Sequence, residues 1–208
     1  MMAAVRAARN GQEVTLLEQN EKLGKKLYIT GKRRCNITND CETEDLLNNV
    51  VRNSKFLYSA FYAFDSRKVM EFFREEGLAI TTERGWRVFR DSYHSSDVIR
   101  TLQKVLQQER VKVQLHAKVT DILVVGSERR SVSGVQLFDG TELKADNVII
   151  ATGGSSYVST GSAGDGYRFA ESLGHTVSEL RPALVPFETA EKWVKDLQGL
   201  SLKNVTVS

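Results

Sequence analysis

Proline is nearly missing from this chain: Pro182 and Pro186 are the only two in 208 residues. Without any low-complexity tract, that scarcity argues against a disordered protein. Cysteine is as rare, with Cys35 and Cys41 alone and no C-x-x-C pair. Zinc-ligand spacing is therefore absent, no metal is expected, and the two thiols read as reduced. No apolar run approaches the ~18 residues a membrane span needs. Arg6 and Arg9 interrupt the apolar amino-terminal stretch, which excludes a signal-peptide core. A cytoplasmic protein without a membrane partner is expected. Charge of one sign is also lacking, because 29 Lys+Arg against 26 Asp+Glu leave a net charge of +3. The 41% apolar and 26% charged fractions are ordinary for a globular chain. The length suits one large domain, or one domain and the opening of another.

A further absence is more specific. Residues 1–18, MMAAVRAARNGQEVTLLE, have the pattern of the helix, second strand and acidic residue of a dinucleotide-binding βαβ unit. In such units an acidic residue follows a G-x-G-x-x-G loop by roughly 20 residues and holds ribose hydroxyls. Counting back from Glu18 places those glycines upstream of Met1. The expectation is a nucleotide-cofactor fold, α/β and Rossmann-like, whose first strand and glycine loop are not in this chain. A central strand would then be missing between residues 14–17 and 148–151, leaving a gap or a distorted closure.

The remaining pattern is mixed. An alanine-rich helix over 1–9 stops at Asn10-Gly11. Val14 to Leu17 reads as a strand buried on both faces. Residues 19–40 form a basic loop with a short helical turn near Lys25, and Thr43 caps a short helix. A helix over 66–76 places Val69, Phe72 and Phe73 on one face, and residues 78–90 form a hairpin turning at Arg84-Gly85. Ser95 caps a helix carrying Ile99, Leu102, Val105 and Leu106. The run VKVQLHAKV is a strand with Val111, Val113, Leu115, Ala117 and Val119 inward and His116 on the other face. A β-meander follows over 121–143, turning at Asp139-Gly140. NVIIA, residues 147–151, is another short buried strand. Residues 162–173 are a loop and then a helix. Arg181-Pro182 and Pro186 mark a change of regime, which sets a partial cofactor-binding domain at 1–181 and the incomplete opening of a second, substrate domain at 182–208.

Four features carry chemistry. Glu18 at a strand end suits a ribose contact, and reads otherwise as a solvated carboxylate. LGKKLYITGKRRCNITN, residues 23–39, mixes glycine, cations and neutral hydrogen-bonding groups, which suits a pyrophosphate and a polar ring. The alternatives are a solvated loop, or a polyanion or RNA contact through the basic stretch 22–34. Aromatic interleaving for base stacking is thin there, so no nucleic-acid partner is expected. Thr152, Gly153 and Gly154 end a strand in a turn whose N–H groups can approach a cofactor. Gly164, Asp165 and Gly166 precede a helix whose N-terminus attracts a negative or polar group, with Asp165 reading equally well as a cap.

Longer blocks carry a resemblance. KLGKKLYITGKRRCNITN, RVFRDSYHSSDVI, ATGGSSYVSTGSAGDGYRFAESLGHTV, LRPALVPF and KDLQGLSLKNV together resemble a bacterial family of NAD(P)/FAD-dependent oxidoreductases of the BaiN or aminoacetone-oxidase type. The resemblance runs in order over nearly the whole chain. It implies a glutathione-reductase-type FAD domain interrupted by a second domain. It also implies hydride transfer between FAD and a small organic substrate, with NAD(P)H as electron donor. By position it places Lys25, Lys26, Thr30, Gly31, Arg34, Cys35 and Asn36 nearest the flavin and pyrophosphate. Glu18 then falls on the adenosine ribose, and Val119, at the end of its strand, on the adenine. Gly153, Gly154 and the Gly164–Gly166 turn pack on the cofactor. Many relatives carry further glycines before Arg-Cys-Asn, where this chain has Lys32 and Arg33. Both ends read as truncated, so an inactive gene fragment is a further alternative. No acid or base stands out as catalytic, and the pattern leaves the oligomeric state open.

Overall fold

The computed structural model describes residues 1–127, 129–182, 188–200, 202 and 205. Its contacts divide into two compact units, Met1–His175 and Thr176–Ser208. Pro186, part of the expected change of regime, and the last five residues of LRPALVPF lie outside the described residues. In the second unit the described residues include one 3-10 segment, Lys192–Leu197.

In the first unit the elements run in chain order. α1 (Met2–Arg9) and β1 (Thr15–Leu17) come first, then α2 (Lys25–Ile29), which continues into a 3-10 turn over Thr30–Arg33. β2 (Thr38–Asn39), α3 (Thr43–Asn48), α4 (Tyr58–Ala63), α5 (Ser66–Glu75), β3 (Ile80–Glu83), β4 (Arg87–Arg90) and α6 (Ser95–Gln108) follow. The unit ends with β5 (Lys112–Gln114), β6 (Val119–Val125), β7 (Ser131–Leu137), β8 (Glu142–Lys144) and α7 (Asp165–Ser172). Three small sheets result: a parallel pair β1-β5, an antiparallel β2-β4-β3, and the meander β6-β7-β8.

β1 separates two hydrophobic layers because successive strand side chains point to opposite faces. Leu16 packs with Val5 of α1, Phe72 and Phe73 of α5, and Leu102, Val105 and Leu106 of α6. Leu17 packs against Ile122 and Val135 of the meander and Phe169 of α7, as Val148 does. The sequence accounts for the helices that build the first layer. The Asp65 carboxylate accepts the Lys68 N–H at 2.8 Å and caps α5. In α6, Val98, Leu102, Val105 and Leu106 recur at helical spacing and are all buried.

Several expectations need correction. VKVQLHAKV is not one strand: β5 ends at Gln114, and His116 takes a left-handed φ of 55° as the chain turns out of the parallel pair toward the meander. Val113 and Leu115 are exposed rather than inward, because β5 is an edge strand. Val119 therefore opens β6, opposite Leu137, instead of closing a strand. Thr15 is exposed, so β1 is covered on both faces only at Leu16 and Leu17. Helix α4 and the 3-10 turn Ser54–Leu57 before it went unread, since none of their residues is buried and no apolar stripe marks them. Thr43 and Ser95 are the first residues of their helices, with Glu42 and His94 at the cap positions.

NVIIA also differs from expectation. Residues 147–151 form no strand, and Ile149 and Ile150 are 63% and 41% exposed. A strand exists through its ladder, and among the described residues neither this segment nor the second edge of β1 has a backbone partner. Leu17 and Val148 pack against the same cluster, and the two segments do not pair with each other, in keeping with the gap expected between residues 14–17 and 148–151.

The layering predicts an asymmetry in stability. Leu106 is 1% exposed, so Leu106→Ala is expected to cost about 2–5 kcal/mol. Val113→Ala on the exposed edge is expected to cost about 0.5 kcal/mol or less. Urea unfolding of the two variants checks the difference.

Candidate functional site

Glu18 sits directly beyond β1, where open α/β sheets bind ligands. Its N–H donates to the Gln114 carbonyl at 2.9 Å, and its own carbonyl accepts the Ala117 N–H at 3.0 Å, so the backbone is held on both sides. The start of α1 lies beside it. Burial holds the Met1 amino group below its usual pKa, while the Glu18 carboxylate pulls the other way. Glu18 Oε1 accepts the Asn20 N–H at 2.9 Å and the Asn20 Nδ2 at 2.7 Å. Beyond it, Asn20 Nδ2 donates to the Thr160 carbonyl at 3.1 Å and Gln19 Nε2 to the Gly161 carbonyl at 2.9 Å.

The 160–161 turn continues into a glycine-lined crossing. The Gly164 N–H donates to the Gly154 carbonyl at 3.1 Å. A Cβ at Gly166 would lie 2.8 Å from Thr152 Oγ1 and 3.2 Å from Ile150 Cγ2, so a side chain there would have to displace Thr152, and glycine lets these loops approach closely. Thr152, Gly153, Gly154, Gly164 and Gly166 are thus brought together. Asp165 opens α7 and lies 3.6 Å from Arg168, whose Nη1 reaches the Thr120 carbonyl at 2.8 Å, next to Val119.

The basic loop splits into two environments. Lys25 pairs with Glu21 at 3.2 Å. Lys26 Nζ reaches Ser156 Oγ at 3.3 Å and stands 3.9 Å from the Tyr157 ring centre, with no carboxylate in ion-pair range among the described residues. Arg34 turns away from this group. It makes a two-pronged pair with Glu83, at 3.0 and 3.3 Å, and lies 4.2 Å from the Phe89 ring centre. Arg34 holds the Glu83 carboxyl below the usual range. Asn36 Nδ2 donates to the Thr38 and Val88 carbonyls at 2.8 and 3.1 Å. Thr30 Oγ1 donates to the Leu27 carbonyl at 2.7 Å. Cys35 is buried, which pushes its thiol pKa up while Thr30 pulls it down. Gly31, Arg33 and Cys35 have φ of 54°, 70° and 56°, so the loop takes three left-handed turns within five residues.

The HI0933-like protein Rossmann domain profile matches residues 1–207. The chain belongs to this family. A 3-dehydro-bile acid delta(4,6)-reductase of Clostridium scindens is 34% identical over 188 residues, which are 89% of this chain and 44% of that protein. A ribosomal RNA dihydrouridine synthase of Haemophilus influenzae is 26% identical over 204 residues, 97% of this chain and 50% of that protein. The chain thus spans about half the length of these relatives. Among solved structures, Thermovibrio ammonificans THI4 aligns at 14% identity with a TM-score of 0.49, covering 76% of this chain and 55% of that one.

Within this HI0933-like domain, the residues singled out from sequence fall into two groups. Glu18, Lys26, Thr152, Gly153, Gly154, Gly164, Asp165 and Gly166 cluster about the 150–167 segment, with Val119 next to the residue that Arg168 binds. Arg34 and Asn36 instead anchor the loop to the β2-β4-β3 sheet. Sequence reasoning missed Gln19, Asn20 and Glu83, because each matters through a partner more than 45 residues away, or through a neighbour's carboxylate, and no local pattern marks that. Two surface hollows lie away from this cluster. One of about 370 Å³ is lined by Leu23, Leu106, Val111, Val113 and Leu115 among others, and one of about 690 Å³ by residues 53–56. Among the described residues no cluster of His, Cys, Asp and Glu is placed to hold a metal, and no helix is long and apolar enough to cross a membrane.

Two outcomes follow for the basic loop of this HI0933-like domain. A depressed carboxyl pKa stabilises the fold above the ordinary glutamate range, and that contribution is lost as pH falls through the depressed value. Glu83→Gln should therefore melt below the parent at neutral pH, with the difference vanishing in acid; thermal melts across pH 3–7, roughly, measure it. A left-handed L-residue costs about 1–2 kcal/mol, against about 0.5–1 kcal/mol for the added freedom of an unfolded glycine. Arg33→Gly is thus expected to raise the melting temperature slightly and Arg33→Val to lower it.

Proposed function

We propose that this chain is the cofactor-holding part of an FAD-dependent oxidoreductase that uses NAD(P)H as its electron donor. The observation that carries this reading is the meeting, at the end of β1, of Glu18, the start of α1 and the glycine-lined 152–166 crossing. A strand-end carboxylate beside a helix start suits a ribose and a pyrophosphate respectively. The residues fit the group. Glu18 Oε1 is occupied by Asn20, so Oε2 is the oxygen for a ribose hydroxyl. Lys26, whose contacts are neutral, is the loop cation suited to a phosphate oxygen. The tight crossing of 152–154 over 164–166 brings backbone close to whatever lies there. Residues 1–181 would form the cofactor domain and 182–208 would belong to a second, substrate-facing domain.

The relatives suggest the substrate class. A delta(4,6)-reductase acting on a 3-dehydro bile acid and a ribosomal RNA dihydrouridine synthase act on different molecules, one small and one RNA, yet both saturate a carbon–carbon double bond conjugated to a carbonyl. We infer the same reaction here: the substrate gains a hydride at the carbon far from the carbonyl and a proton at the near one, and NAD(P)H is oxidised. FAD, held by these residues, would supply the hydride relay between donor and substrate. The protein residues hold the nucleotide, offset its phosphate charge and keep the two ends of the site in register. Lys25 and Arg34 are matched by Glu21 and Glu83, which reduces the positive face of the basic loop.

The purified protein, incubated with FAD and freed of unbound cofactor by gel filtration, should keep flavin absorption bands that bleach anaerobically with NADH or NADPH and return on addition of a conjugated enone. Glu18→Gln should weaken FAD binding about tenfold, as loss of a hydrogen bond to a charged group does. No flavin bands in the protein fraction after incubation with saturating FAD and gel filtration would defeat the reading. RNA binding that falls steeply with salt would then favour the polyanion alternative.

A further inference from the structure

We infer that Asn20 is a positioning residue for the nucleotide site, and that with Gln19 it clasps the end of β1 to the 160–161 turn. The inference rests on the FAD reading above and adds a role for two residues outside the cofactor pattern. A glutamate at a strand end has three rotatable bonds and no reason to hold one orientation. Here Oε1 takes two donors from a single residue, the Asn20 N–H at 2.9 Å and Nδ2 at 2.7 Å. Hydrogen bonds to an ionised acceptor are the strong ones, so this pair fixes the carboxylate plane. The Nδ2 group has two hydrogens, and its other acceptor is the Thr160 carbonyl at 3.1 Å. The adjacent amide of Gln19 holds the adjacent carbonyl, Gly161, at 2.9 Å.

Two consecutive side-chain amides therefore grip two consecutive backbone carbonyls across about 140 residues of chain. The grip explains Gly161. Its φ is 92°, and a Cβ there would come within 2.8 Å of both Gln19 Nε2 and Asn20 Nδ2. Aspartate at position 20 would lose both side-chain donors and set a second anion against Glu18. The clasp joins the carboxylate expected at the adenosine ribose to the turn that leads into Gly164–Gly166. Its effect should fall on the adenosine half of FAD and spare the flavin half.

The test is a double-mutant cycle read by titrating FAD and FMN into the purified protein, with thermal melts of each variant. FMN lacks the adenosine half. Asn20→Ala is expected to raise the FAD dissociation constant about tenfold, to leave FMN binding unchanged, and to cost clearly less in a Glu18→Ala background, where only the link to Thr160 remains to be lost. Asn20→Ser, which keeps a donor for Oε1, should recover part of the loss. Equal weakening of FAD and FMN, or full additivity with Glu18→Ala, would show a general structural role and overturn the inference. An unchanged FAD constant in Asn20→Ala would overturn it as well. A parent protein that takes up no FAD overturns the functional reading itself, and this inference with it.

Discussion

The parallel register between Thr15–Leu17 and Lys112–Gln114 is the constraint on which the rest of the domain depends. It brings two segments about 100 residues apart into one ladder, and the ladder continues past both strands. Glu18, Asn20 and Ala117 extend it by three more backbone bonds. Those bonds place the carboxylate at the strand end and turn the chain at His116 toward the meander. The same short strand divides the helical layer from the meander layer through Leu16 and Leu17. Loosening this register would move the site and both cores together.

A second principle is division of labour within the basic loop. Its sequence is a run of cations, and a run of cations suggests a single anion-binding surface. The folded loop separates them. Arg34 is spent on Glu83 and the Phe89 ring, and so serves to attach the loop to a sheet. Lys26 faces Ser156 and Tyr157, across from the glycine-lined crossing. The left-handed turns at Gly31, Arg33 and Cys35 make this reversal of direction possible within five residues. Arg33 occupies one of them, with a φ that glycine would take more readily.

Most helices were legible because they bury a stripe: α5 through Phe72 and Phe73, α6 through Leu102, Val105 and Leu106. The hairpin at Arg84-Gly85 and the meander turning at Asp139-Gly140 were legible from turn residues. What failed was any element whose state depends on a distant partner. Val148 to Ala151 has the composition of a buried strand, yet composition does not supply a neighbour to pair with. Residues 54–63 have no buried face and therefore no period to detect. In the site, Glu18 and the glycine turns were readable from spacing and chemistry. Asn20 and Gln19 were not, since their acceptors are carbonyls that any residue could supply.

The open edge of β1 and the bare apolar run at Ile149 and Ile150 have a practical consequence. Unpaired strand backbone next to exposed β-branched side chains is a template for joining another chain. Nothing on that edge resembles the charged or proline-bearing guards that natural sheets use to stay soluble, since Thr15, Leu16 and Leu17 are neutral. Handled at high concentration, this domain should be prone to self-association through its sheet, and any extended apolar strand supplied to that slot would act as its solubiliser.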